Sequence, residues 1–103
     1  MELVFAFLAG AFLTNSIPHI VSGIQGNKHM TPLAKDSSAI VNIVWGFVNL
    51  LAGAFVLNMS GGSINQVLSF DNFSVSFLVG GFVIALTAAW LFSNPNARFP
   101  WFR

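Results

Sequence analysis

The chain has 103 residues, of which 55 % are apolar and 7 % charged, with twelve phenylalanines and a net charge of +1. A soluble domain carries about 25 % charged residues, and a chain this poor in charge could not cover its surface in water and stay dispersed. The composition excludes a soluble enzyme, a disordered tail and a nucleic-acid binder, and it points to an integral membrane protein.

The charged residues are Glu2, Lys28, Lys35, Asp36, Asp71, Arg98 and Arg103. Between them lie three uncharged, mainly apolar runs: Leu3–Ile24, Ala39–Met59 and Phe73–Phe92. A helix crosses a hydrocarbon core of about 30 Å with about 20 residues, and backbone groups in lipid must be bonded within their own segment. The expected fold is therefore all-α. One transmembrane domain fills 1–103, with membrane helices at about 3–24, 39–59 and 73–92.

The first run reads as a retained helix rather than a signal peptide, because it opens Met-Glu, has no cation before Lys28 and lacks a clear cleavage site. Pro18 withholds a backbone donor and crowds the carbonyl of Thr14, which predicts a kink. Asn15, Pro18, His19, Ser22 and Gly26 share one face, with Ala6, Gly10 and Thr14 as a small-residue seam. His19 falls about 24 Å along the helix, in the inner leaflet. Thr31-Pro32 resembles a helix N-cap followed by a first-turn proline. Asp36, Ser37 and Ser38 are candidate caps for the second helix. Within that helix Asn42, Trp45, Gly46, Asn49 and Gly53 form one stripe.

Gly61-Gly62 suits a left-handed helix end. Ser63 and Gln66 have capping-box spacing, and Ile64, Val67 and Leu68 predict a short interfacial helix over about 64–69. Asp71 or Asn72 caps the third helix, whose Gly81, Ala85 and Ala88 or Ala89 make a second small-residue seam. Asn94-Pro95 stops it. The tail 93–103 mixes aromatics with Arg, a composition for anchoring in the headgroup layer.

Three crossings put the N-terminus and loop 60–72 on one side, without a Lys or Arg. Loop 25–38 and the tail carry all four cations on the other. The positive-inside rule then gives N-terminus outside and C-terminus cytoplasmic.

Polar groups inside a membrane are costly, so Asn15, His19, Ser22, Asn42, Trp45 and Asn49 mark either a helix–helix seam or a cavity lining. Gly10, Gly46, Gly53, Gly81 and Ala85 are the expected close-packing positions. His19 is the one titratable group in the three runs. It serves as a hydrogen-bond partner, as a substrate or proton site, or as a haem or metal ligand. With two histidines, no cysteine and no carboxylate in the membrane runs, no metal site is expected within one protomer, and no cofactor is assigned. Paired carboxylates, a nucleophile elbow and a phosphate-cradling loop are all missing, so the chain does not read as an enzyme.

The elements Asn15-x-x-Pro18-His19, Gly23, Gly26, Thr31-Pro32 and Trp45-Gly46-x-x-Asn49 resemble an uncharacterised family of small bacterial multi-helix membrane proteins, over about residues 15–53. The resemblance implies an inner-membrane protein and no particular activity. The architecture is also similar to half-size bacterial SWEET sugar transporters, which are three-helix dimers. Their Pro-Gln pair stands here as Pro18-His19, so that likeness is one of architecture. Small multidrug exporters depend on a membrane Glu that this chain lacks. The first expectation is a self-associating interaction or structural subunit of the inner membrane, with the lipid bilayer and a homo-oligomer or larger membrane complex as partners and no nucleic acid. The alternatives are an oligomeric transporter or channel for a small uncharged solute, and a haem- or quinone-associated redox accessory.

Overall fold

The computed structural model describes residues 1–102; Arg103, the fourth cation of the positive-inside count, lies outside them. Three helices account for most of the chain: α1 (Glu2–Ile24), α2 (Ala39–Met59) and α3 (Asn72–Ser93). Each is long and apolar enough to cross a membrane. The molecule measures 41 × 23 × 22 Å, so its long axis matches the about 40–45 Å of a bilayer with its headgroups.

Helix boundaries follow local chemistry. Ser38 caps α2, its hydroxyl accepting from the Val41 N–H at 3.2 Å. Gly61, at φ +79°, takes the left-handed conformation that ends it. Asp71 caps α3 by accepting from the Ser74 N–H at 2.9 Å, and that bond holds its carboxyl below the usual range. Between α2 and α3 lies a short 3-10 helix, Ile64–Leu68. Gln66 Oε1 accepts from the Ser63 N–H at 3.2 Å there, and Ile64 and Leu68 stay exposed. α1 continues as helix through Pro18.

α1 is the central element. It packs antiparallel to α2 and parallel to α3, which flank it with little contact to each other. Glycines set both approaches. A Cβ on Gly10 would strike the backbone carbonyl of Phe77, and one on Gly80 the carbonyl of Phe7. Toward α2, a Cβ on Gly46 would come within 2.5 Å of Ile20, and one on Gly53 within 2.7 Å of Leu13. Apart from Met30 and Phe73, the buried side chains are accordingly small or polar, such as Ala6, Ala9, Asn42 and Ser74. The large apolar ones, such as Phe47, Phe55, Phe82 and Trp90, face outward.

One end of the bundle is closed by loop 25–38 and the tail together. Lys35 Nζ donates to the carbonyls of Pro95 at 2.5 Å and Ala97 at 3.0 Å. Trp101 Nε1 donates to the carbonyl of Pro32 at 2.6 Å, and its ring stacks on Phe99 at 4.7 Å. Thr31-Pro32 does not open a helix. Thr31 and Ala34 exchange backbone hydrogen bonds at 3.0 and 3.2 Å across a tight turn. The Thr31 hydroxyl accepts from the Leu33 N–H at 3.1 Å, inside that turn.

Candidate functional site: a polar seam beside a small cavity

The polar faces of α1 and α2 meet in two tiers. In the first, Asn49 Nδ2 donates to the carbonyl of Trp45 at 2.9 Å. Its Oδ1 is then the acceptor for Asn15 Nδ2 at 3.1 Å. In the second, Asn42 Nδ2 faces three backbone carbonyls, those of His29 at 2.9 Å, Ser38 at 3.0 Å and Ser37 at 3.1 Å. Only a nitrogen fits among three acceptors, so the amide orientation follows from the network. Asn42 Oδ1 must therefore face His19, and the 2.8 Å bond between them is donated by His19 Nδ1. Asn42 thus ties α1, α2 and loop 25–38 together from a fully buried position.

The loop is fastened further. The hydroxyls of Thr31 and Ser37 are 2.6 Å apart, and Ser37 donates onward to the carbonyl of Ala34 at 2.9 Å. This fold returns His29 to the bundle. Its ring lies 4.0 Å from Phe92 and edge-on to His19 at 5.3 Å. Burial pushes the His29 imidazole below the usual histidine range, and the neighbouring His19 ring lowers it further. Its Nε2 is buried without a hydrogen-bond partner among the described residues.

Beside the seam is a cavity of about 170 Å³. Asn15 and His19 of α1, Trp45 of α2, and Thr87, Ala88 and Phe92 of α3 form its walls. Met30 and Pro32 from the loop and Phe99 from the tail close its end. The walls are largely apolar. An apolar groove of about 340 Å³ between α1 and α3 adjoins it, sharing Asn15, Ile84, Ala88 and Phe92.

Of the residues singled out from the sequence, Asn15, His19 and Trp45 line the cavity. Asn42 and Asn49 sit in the seam at 0 % and 4 % exposure. Ser22 is half-buried and joins neither tier. Gly10 and Gly81 lie at the α1–α3 contact, and Gly46 and Gly53 at the α1–α2 contact. Ala85 is exposed and lines open grooves beside Thr14. Sequence reasoning missed His29, Met30, Phe92 and Phe99. Nothing local marks them: His29, Met30 and Phe99 reach the site only because loop 25–38 and the tail fold back over the bundle end, and Phe92 is one of many apolar residues of α3. Among the described residues, no three His, Cys, Asp or Glu side chains converge as a metal-ligand set. No family model, characterised protein or solved structure matches the chain, so its functional reading rests on this geometry.

Proposed function

We propose that the chain is a non-enzymatic packing subunit of the bacterial inner membrane, which associates with further copies of itself or with a larger membrane complex. The observation that carries this reading is a contrast between two polar or small-residue faces. The Asn15, Asn42 and Asn49 amides bond to partners within one protomer. Ala85, by contrast, is exposed beside Thr14 along an open apolar groove. Small residues let a further helix approach closely in lipid, where van der Waals packing rather than hydrophobic exclusion drives association. An aqueous transport path along the Asn42–Asn49 stripe is disfavoured, because those amides are buried and bonded.

The orientation is N-terminus outside and C-terminus cytoplasmic. Lys28, Lys35 and Arg98 belong to the end that loop and tail close together, whereas Glu2 and Asp71 belong to the opposite end, an asymmetry that supports the positive-inside assignment. Pro18 bends α1 within the membrane by removing a donor from its hydrogen-bond ladder. The resemblance of residues 15–53 to small bacterial membrane proteins adds the inner membrane to the reading.

Association is tested by single-molecule photobleaching in bilayers across a series of protein-to-lipid ratios. The expected result is a lipid-dilution-dependent oligomer that Ala85→Trp weakens about tenfold, the effect of about 1.4 kcal/mol of lost packing. A monomer at every ratio, with unchanged behaviour of the variant, overturns the reading. Single cysteines at Ser63 and Asn96, labelled from either side of intact cells, test the orientation.

A further inference from the structure

The cavity has an unbalanced hydrogen-bonding inventory. His19 donates from Nδ1 to Asn42, so a neutral ring carries an unused lone pair on Nε2. Asn15 uses its N–H toward Asn49, which leaves its Oδ1 free. The Thr87 hydroxyl donates to the carbonyl of Val83 at 2.9 Å and retains acceptor capacity alone. Three acceptors therefore border the space, against two unengaged N–H donors, that of Trp45 and the second hydrogen of Asn15 Nδ2. Such a site selects a guest that donates.

The shape narrows the guest further. An apolar cavity of about 150 Å³ holds one benzene ring, and this one measures about 170 Å³ with Trp45, Phe92 and Phe99 in its walls. The adjoining groove passes Pro18 and Ala89 on the membrane-facing side of α1 and α3. Ring, hydroxyl and apolar chain thus each have a matching place.

We propose that this cavity binds the phenol or hydroquinone headgroup of a membrane-dissolved compound, its ring hydroxyl donating to His19 Nε2 and its apolar chain leaving through the groove between α1 and α3. The site prefers a hydroxyl to a carbonyl, so it takes a hydroquinone over the matching quinone. It does not depend on self-association. A second copy would pack at Ala85 and Phe82, and the chain would leave beside Pro18 and Ala89, a successive stretch of α3.

The test uses the full chain in nanodiscs with ¹⁵N-labelled histidine, titrated with 4-nonylphenol and with its methyl ether at equal mole fractions in lipid. The expected result is a saturable shift of the His19 Nε2 resonance by the phenol, with the ether at least about tenfold weaker because one buried hydrogen bond is lost. Ala88→Phe, which fills the cavity, abolishes the shift and leaves the His19 Nδ1 resonance in place. A nonsaturable response, equal binding of the ether, or undiminished binding to the Ala88→Phe variant overturns the proposal. A further arm compares 4-methylphenol with 4-nonylphenol. Tighter binding of the long chain supports a membrane compound. Equal binding overturns the groove assignment and makes the guest a small free phenol.

Discussion

Against α2 the central helix reaches out with Asn15 and His19 to Asn49 and Asn42, whereas against α3 it relies on missing side chains, at Gly10 on its own surface and at Gly80 and Gly81 opposite. The first contact is written in directional bonds and therefore fixes register. Sliding α1 by one residue would misplace both amide tiers. The second contact is written in distance. Backbone touches backbone, and the side-chain bond from Ser76 to the carbonyl of Leu3, at 2.5 Å, pins its N-terminal end. Toward the loop end the glycines run out, and Ile84, Ala88 and Phe92 do not close the gap. The cavity and its groove occupy the place where neither kind of contact continues.

The sharpest way to break this contrast is Gly10→Leu. The new side chain meets the main chain of Phe77, which cannot move aside as a rotamer would. The expected cost is about 3 kcal/mol, read as a lower unfolding free energy by steric trapping in bicelles, with α3 displaced from α1. An unchanged value would mean that the two helices are not in backbone contact. The α1–α2 side is tested by Asn42→Leu, which leaves the His29 carbonyl and the His19 Nδ1–H without a partner and removes one of the two bonds to each of the Ser37 and Ser38 carbonyls. That should cost about 2 kcal/mol, more than an average membrane hydrogen bond. It should also speed amide exchange across residues 29–38 while leaving the α1–α3 contact intact.

The smallest effect is one of pH and is read in the loop. The folded His29 imidazole is held below its ordinary value of 6.5, so as pH falls the opened loop takes up the proton first. The closed loop is then fully stable above 6.5 and loses stability as pH drops from there toward the folded value. The protection factors of amides 29–37, taken relative to the intrinsic exchange rate at each pH, should fall between pH 7.5 and pH 5, and His29→Phe should weaken that dependence.

The three long apolar helices were legible in the sequence because the spacing of charges and the length of apolar runs are one-dimensional signals. The caps at Ser38 and Asp71, and the left-handed end at Gly61, were legible because a cap depends on neighbours within a few residues. Asn15, His19, Asn42 and Asn49 stood out by being polar where polarity is costly, yet their pairing needed the antiparallel register of α1 and α2. His29 and the Thr31 turn were not legible. A histidine in a polar loop carries no mark of burial, and Thr31-Pro32 fits a tight turn as well as a helix start. The aromatic tail suited the headgroup layer by composition, but its folding onto Pro32 and Lys35 depends on contacts between residues distant in sequence.

Those tail contacts bear on how the protein is made. Lys35 and Pro95 are 60 residues apart, and Pro32 and Trp101 are 69 apart. At about 5–20 residues per second, about 3–14 s of translation separate one partner from the other. The α1–α2 hairpin must therefore be synthesised before the tail contacts to its connecting loop can form. The end of the bundle is finished last, and a fusion that restrains residues 95–101 should leave Lys35 and Pro32 without their tail contacts while the three helices assemble normally.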